Sequence, residues 1–165
     1  GYVGYLIAES CKVRGPIHQV AGRSFCPEVA PPDEAAYVKL EADLQAIAAQ
    51  VKARAPNARL VFVQYLAMVP KTACADVPLS PEAAQTARTI ASRLAQVTAK
   101  VARANGATLF DGDRISVRHM PCGADEDWVA AWPADYKPGD TFPWHPTRAG
   151  HAAIARELAI RLTRR

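Results

Sequence analysis

The chain has 165 residues, of which half are hydrophobic and 22% are charged, with a formal net charge of +4. This composition is typical of one globular domain and excludes a disordered or fibrous chain. Acidic and basic residues are mixed along the sequence, and no apolar run approaches the roughly 20 residues that cross a bilayer. We therefore expect neither a nucleic-acid-binding face nor a membrane span.

The first half of the chain predicts a loop, a helix and a strand. Residues 1–11 are apolar, and residues 12–32 hold enough prolines and glycines to predict a long loop. Asp33 can cap a helix to about residue 54, whose buried face comprises Tyr37, Leu40, Leu44, Ile47 and Val51. Residues 59–65 are short, apolar and β-rich, as expected of a buried parallel strand.

The second half continues this alternation. Ser80, Pro81 and Glu82 predict a helix start, and the helix ends at Asn105-Gly106. Its predicted buried face comprises Ala87, Ile90, Leu94, Val97 and Val101. Residues 107–111 predict a second strand and residues 112–146 an irregular stretch. Thr147 then caps a last helix, whose core face includes Ile154, Leu158 and Leu162.

Strands that alternate with helices predict an α/β fold, here a three-layer α/β/α sandwich around a parallel sheet. Two strands are too few for such a sheet, because a parallel sheet is covered on both faces. We therefore expect residues 60–63 and 108–110 to be buried on two faces, beside strands from an N-terminal segment outside this chain. Residues 1–165 would then form a single domain that is incomplete at its N-terminus.

The cysteines Cys11, Cys26, Cys74 and Cys122 lack the C-x-x-C spacing of a zinc or redox site. An even number of cysteines in loop-like contexts predicts two disulfides and an oxidising compartment. Of the three possible pairings we favour Cys11–Cys26 and Cys74–Cys122, because each would staple loops. The alternative is four buried free thiols in a cytosolic protein.

The residues best suited to chemistry surround His145. This histidine follows the last predicted strand, on the side where α/β sheets place their ligand crevice. Pro143 and Pro146 stiffen the backbone on both sides, as suits a base that must hold a fixed geometry. Histidines flanked by prolines also occur in ordinary loops, so these residues alone leave both interpretations open.

A family resemblance favours the catalytic interpretation. The run from Trp144 to His151 resembles the last conserved block of SGNH (GDSL-like) hydrolases, usually D-x-x-H-P-N-x-x-G-H. Three further stretches resemble the family in the same order: Val61-Phe62-Val63-Gln64-Tyr65, Cys74 with Pro78-Leu79-Ser80, and Cys122 with Asp127-Trp128-Val129. The resemblance implies a flavodoxin-like SGNH fold and a secreted or periplasmic lipase/acylhydrolase or carbohydrate esterase that needs no metal or organic cofactor.

The same resemblance places the family's nucleophile outside this chain. The G-D-S block with the serine is absent, as are the glycine and asparagine that help to build the oxyanion hole. Gly1 would follow the family's third block, so an upstream segment of the same protein is the expected partner. The serines that are present, Ser10, Ser24, Ser80, Ser92 and Ser116, lack a G-x-S-x-G or S-x-x-K setting.

By this resemblance His145 is the general base. The family's aspartate stands three residues before the histidine, where this chain has Phe142, and Asp140 lies two residues further back. Either Asp140 reaches the imidazole or a main-chain carbonyl near Phe142 orients it, and Asp140 could equally be a turn residue after Gly139. His18 and His119 are expected to be loop histidines, and His151 to have a packing or helix-surface role. The tryptophans are expected to cover the core or line an acyl-binding crevice.

Two other functions compete with ester hydrolysis. The first is a non-catalytic module that has a hydrolase fold and binds a glycan or a lipid. The second is a cytosolic transferase of related α/β architecture. Within the hydrolase interpretation, the ester could belong to a lipid, an acylated glycan or a small molecule.

Overall fold

The computed structural model describes residues 1–16, 19–20, 23–137 and 139–163, without the side chains of residues 19–20 and 23–24. His18 lies outside the described residues. The described elements, in chain order, are α1 (Tyr2–Arg14), β1 (Gln19–Val20), β2 (Arg23–Ser24), α2 (Glu34–Arg54), β3 (Val61–Val63), α3 (Pro81–Ala104), β4 (Thr108–Phe110), α4 (Gly112–Ile115), the 3₁₀-helix η1 (Val117–His119) and α5 (Arg148–Thr163).

The starts of the three long predicted helices are confirmed by their caps. The Asp33 carboxylate accepts a hydrogen bond from the backbone N–H of Ala36, and the Ser80 hydroxyl accepts one from Ala83. At the start of α5, the Thr147 hydroxyl accepts from the Gly150 N–H at 3.1 Å. Each cap satisfies a backbone donor that lacks a partner in the first helical turn, which is why these polar side chains mark the boundaries.

The prediction of one loop over residues 12–32 is wrong in two places. Helix α1 extends to Arg14, and β1 and β2 form an antiparallel pair. Helix α1 buries Tyr5, Leu6, Ala8, Ser10 and Cys11, but Gly4 weakens its helical pattern. The irregular stretch predicted over residues 112–146 likewise contains the short α4 and η1.

Strands β3 and β4 pair in parallel, with Phe62 opposite Leu109 and Val63 opposite Phe110. Helix α3 packs against both strands and against α1 and α2, which confirms an α/β architecture with a small parallel sheet. Because side chains alternate along a strand, Phe62 points to one face of the sheet while Val63 and Phe110 point to the other.

The expectation that both strands are buried on two faces is wrong for β3. Phe62 is buried in a cluster with Ala48, Val101 and Ala102 from α2 and α3. On the other face, Arg161 of α5 lies over the Phe110 ring, whereas Val63 is 50% exposed. Ile47 and Leu162, both predicted on buried faces, are also exposed because no described element covers them. The strands expected from another segment stay a prediction.

An open groove of about 940 Å³ follows β3, and we call it the β3 groove. Helices α2 and α3 form one wall, β3 and the chain after it form the floor, and the lining includes Leu40, Leu44, Val63, Tyr65, Ala91 and Ala95. No helix among the described residues is long and apolar enough to cross a membrane.

The main core lies beyond the end of the sheet. It joins α1 and α3 to the irregular segments, through Leu6, Leu66, Met68, Ile90, Val129, Trp132 and Trp144. Burial of a large apolar side chain contributes roughly 1.5–3 kcal/mol. The irregular segments therefore contribute buried side chains to the core.

Candidate active site

The backbone around His145 is held by a short antiparallel ladder. The His145 carbonyl accepts a hydrogen bond from Ala130 N–H at 2.9 Å, and Trp144 N–H donates to the Ala130 carbonyl at 3.0 Å. Thr147 N–H donates to the Trp128 carbonyl at 2.9 Å, and Val129 bridges to Pro146. We call residues 140–147 the histidine segment. Its backbone is fixed on both sides of His145, as a base of defined position requires.

Helix α5 begins directly after this segment and is packed closely against it. The Thr147 hydroxyl donates to the Asp127 carbonyl at 2.8 Å while it caps the helix. Gly150 lies against the Trp128 backbone, where a Cβ atom would collide with the Trp128 carbonyl oxygen. The glycine of the H-P-T-R-A-G run therefore serves close packing between α5 and residues 127–130.

The His145 side chain is exposed, and its Nδ1 atom lies 3.0 Å from the Pro143 carbonyl oxygen. The Phe142 ring meets the imidazole edge-on, with centroids 5.3 Å apart. Because a carbonyl oxygen can only accept a hydrogen bond, Nδ1 must carry the proton. In the neutral imidazole Nε2 then holds the lone pair, so Nε2 is the atom that can take a proton from a substrate or nucleophile.

Asp140 lies in a turn with Lys137. Its carboxylate accepts from the Lys137 N–H at 2.9 Å, and its own N–H donates to the Lys137 carbonyl at 3.1 Å. Among the described residues no hydrogen bond joins Asp140 to His145. Of the two sequence alternatives, the carbonyl partner is the one present in this structure, and it belongs to Pro143.

Trp144 stands between the carbonyl and the histidine, and it is fully buried with a backbone φ of 66°. A left-handed backbone costs a non-glycine residue roughly 1–2 kcal/mol. The indole Nε1 donates to the Ser10 hydroxyl at 3.1 Å, and the Trp144 carbonyl accepts from the Tyr65 hydroxyl at 3.0 Å. Burial raises the pKa of the Tyr65 hydroxyl, the donor in the second of these hydrogen bonds.

Sequence reasoning missed Ser10 and Tyr65 as neighbours of the site. Ser10 lies 134 positions before Trp144, and a serine in an apolar helix gives no signal of its partner. The tryptophans were left open between core and crevice, and Trp132 and Trp144 prove to be core residues. A positive φ at an aromatic residue has no sequence signature, since glycine and asparagine are the residues that mark that conformation.

His119 and several of the serines have structural partners in the described part of the chain. The His119 ring stacks on Trp128 with centroids 3.8 Å apart, whereas His151 is exposed on α5. Ser80 caps α3, Ser92 accepts a hydrogen bond from Gln96, and Ser116 is buried with bonds to Ala67 and Gly112, while the Ser24 side chain lies outside the described residues. Within the described ranges, no group of three or more His, Cys, Asp or Glu residues could hold a metal ion.

Both favoured disulfides are present, Cys11–Cys26 and Cys74–Cys122, so the alternative of four free thiols is wrong. Burial raises the pKa of the Asp127 carboxyl above its ordinary value, and the nearby backbone amides of Gly123 and Cys122 oppose that rise. The second disulfide therefore supports residues 127–130, the ladder partner of the histidine segment.

Comparisons with known proteins give the fold and the family of the chain. No curated protein sequence gives a significant match. The crystal structure of phospholipase A1 from Streptomyces albidoflavus NA297 matches with a TM-score of 0.61 and 26% identity, covering 71% of this chain and 49% of that one. An extracellular lipase from Streptomyces rimosus matches in fold, with a TM-score of 0.59 and 23% identity, covering 74% of this chain and 53% of that one.

The chain thus spans about half the length of each of these solved structures. Their shared architecture is the SGNH hydrolase fold that the ordered motifs imply. The sequence itself matches the GDSL-like lipase/acylhydrolase family over residues 21–153, which is well over half of the chain. The chain therefore belongs to the GDSL-like lipase/acylhydrolase family.

Proposed function

We propose that this chain is the histidine-bearing part of a serine ester hydrolase, with His145 as the general base. The observation that carries the proposal is the hydrogen bond between His145 Nδ1 and the Pro143 carbonyl, because it assigns the lone pair to Nε2 of an exposed histidine. A serine hydroxyl is a weak nucleophile unless a base of this kind accepts its proton.

In the proposed reaction His145 Nε2 takes the proton of a serine hydroxyl as its oxygen attacks the ester carbonyl. The imidazolium then gives the proton to the leaving alcohol, and an acyl-enzyme remains. Water releases the acyl group by the same two steps. The Pro143 carbonyl takes the orienting part that an aspartate has in a triad, because it accepts the Nδ1 hydrogen bond and fixes the tautomer.

The serine and the oxyanion donors belong, in this proposal, to a segment that precedes Gly1. The half-length coverage of the solved relatives supports this assignment. The β3 groove supports it too, since its apolar lining and the half-exposed Val63 suit a strand and a helix of the same protein. Tyr65 lines that groove and contacts Trp144, so an occupant of the groove would lie next to the histidine segment.

The proposed substrate is an acyl ester of a lipid, a glycan or a small alcohol, and the proposed location is outside the cytoplasm. The family description and the names of the two Streptomyces structures support an acyl ester. Two disulfides support an oxidising compartment, since cytosolic thiols are kept reduced.

The test uses the chain joined to its natural upstream segment, with p-nitrophenyl acetate and an alkyl ester as substrates. We expect His145→Ala to lower kcat by about 10²- to 10⁴-fold, because the general base is lost. His151→Ala is the matched control, since it removes an exposed histidine six residues later, and it should leave kcat within a few-fold.

An alkyl ester is needed because its poor leaving group depends on protonation, which an activated ester does not require. Normal hydrolysis of the alkyl ester by His145→Ala would overturn the proposal. A wild-type protein that hydrolyses neither ester but binds lipid or glycan would instead support the non-catalytic alternative.

A further inference from the structure

The orientation of the His145 imidazole depends on the residue between it and its acceptor. The φ and ψ rotations of Trp144 lie between the Pro143 carbonyl and the His145 Cα atom. They therefore set whether that carbonyl can reach Nδ1. With φ at 66°, Trp144 has a conformation that a bulky side chain rarely adopts, and the Nδ1 to carbonyl distance is 3.0 Å.

Such a conformation persists only where the surroundings determine it. Three polar anchors from three parts of the fold meet at Trp144. The indole N–H donates to Ser10 on α1, the carbonyl accepts from Tyr65 just after β3, and the backbone N–H donates to the Ala130 carbonyl. The indole itself is fully buried in the main core.

Ser10 makes this arrangement more specific than ordinary packing. Its hydroxyl is fully buried on the apolar face of α1, where an unpaired polar group is unfavourable. The hydrogen bond from the Trp144 indole satisfies that hydroxyl. The hydrogen bond therefore fixes the orientation of the buried indole. An indole in a fixed orientation restrains the φ and ψ angles of Trp144.

We propose that Trp144 is the positioning residue for His145, and that Ser10 and Tyr65 anchor it. Through these anchors the core of the domain holds Nδ1 against the Pro143 carbonyl and keeps the lone pair on Nε2. The catalytic consequence rests on the function proposed above. The orientation of the imidazole does not, and it can be measured without any substrate.

The first measurement is the tautomer of His145, by ¹⁵N NMR of the imidazole in this chain, with the resonances assigned from their loss in His145→Ala. We expect the Nδ1–H form to dominate in the wild type. In Ser10→Ala and in Trp144→Phe, which remove one partner of the indole bond each, the population should move toward the Nε2–H form. Tyr65→Phe should have a smaller effect in the same direction.

Ser116→Ala is the matched control, because it also deletes a fully buried serine hydroxyl, one that bonds Ala67 and Gly112. It should lower stability yet leave the His145 tautomer unchanged. If Ser10→Ala does not fold, Trp144→Phe and Tyr65→Phe still supply the comparison. A wild-type tautomer in every folded anchor variant would overturn the proposal.

The second measurement is steady-state kinetics in the chain joined to its upstream segment. Ser10→Ala and Trp144→Phe should each lower kcat by about 10- to 100-fold with little change in KM, because a misplaced base affects the chemical step. The double variant should lose no more than either single variant, since both changes break the same bond. Additive losses would overturn the proposal. A shifted tautomer in a protein that lacks esterase activity would refute the proposed function and leave the positioning intact.

Discussion

The histidine segment has little regular secondary structure, whereas β3 is a regular parallel strand, yet the irregular segment is the better packed of the two. Pro143 and Trp144 are fully buried, and backbone hydrogen bonds to residues 128–130 hold the segment on both sides of His145. On β3, by contrast, Val63 is 50% exposed, and Tyr65, two residues after the strand, is 40% exposed.

This difference distinguishes the histidine segment, which residues of this chain hold in place, from the face of β3, which they leave exposed. The proposed base, the carbonyl that accepts its hydrogen bond and the side chains that hold Trp144 all belong to this chain, and Trp144 lies in the main core. The sheet beside them presents an apolar groove instead of a covered face. Regular secondary structure therefore does not show that the side chains of a region are buried, since hydrogen bonding along a strand does not cover them.

The disulfides should give the largest effect on stability, and the effect should be larger on the side of the histidine segment. Cys74–Cys122 closes a separation of 48 residues, and Cys11–Cys26 closes one of 15. On chain entropy, replacing the first pair by serines should lower the free energy of unfolding by about 4 kcal/mol. Replacing the Cys11–Cys26 pair should lower it by about 3 kcal/mol. Urea unfolding of the two double variants checks the order, and a larger loss from the Cys11–Cys26 pair would contradict it.

Gly150→Ala should give the next largest loss. The added methyl group would collide with the Trp128 carbonyl, so α5 must shift away from residues 127–130 at a cost of about 1–3 kcal/mol. Gly4→Ala is the matched control, because nothing lies within 4 Å of its Cβ position in α1. Because Gly4 lies in the first turn of α1, this control should raise the free energy of unfolding by no more than about 0.5 kcal/mol. Equal effects of the two substitutions in thermal unfolding would show that α5 is not tightly packed there.

The sequence predicts those parts of the structure whose causes are local. The start of α3 is determined by the adjacent residues Ser80, Pro81 and Glu82, and the start of α2 by Asp33. Both predicted helices are confirmed. Helix α1 was missed because a glycine inside it weakens the local signal that its buried contacts override.

The site is predictable only in part, for the same reason. The H-P-T-R-A-G-H run identifies His145 from adjacent residues. The bond from Trp144 to Ser10 spans 134 positions, and the left-handed conformation of Trp144 depends on contacts of that kind. The exposure of Val63 depends on what covers the sheet, which the residues of β3 do not encode.

Asp140→Ala should have a modest effect on activity in the chain joined to its upstream segment. Asp140 closes a turn with Lys137, and the net value of such a hydrogen bond is about 0.5–1.5 kcal/mol. We therefore expect kcat/KM on an alkyl ester to fall by less than about tenfold, since 1.4 kcal/mol corresponds to one factor of ten. Asp140→Asn keeps an acceptor for the Lys137 N–H and should recover most of the loss. A decrease comparable to that of His145→Ala would show that Asp140 completes a triad in the assembled protein.

The smallest effect expected in this chain alone is that of Val63→Thr. This substitution tests whether the exposed face of β3 is covered in the longer protein. Threonine has nearly the shape of valine, and at a half-exposed position its hydroxyl stays in contact with water. The free energy of unfolding should therefore change by no more than about 0.5 kcal/mol. In the chain joined to its upstream segment, the same substitution should lower the free energy of unfolding by about 1–3 kcal/mol, because a covered β3 would bury the hydroxyl without a partner.

Val101→Thr is the matched control. Val101 is fully buried against Phe62 in this chain, so its substitution should lower the free energy of unfolding in both forms of the protein. If Val63→Thr remains neutral in the longer protein while Val101→Thr destabilises both, the upstream segment does not cover this face of the sheet.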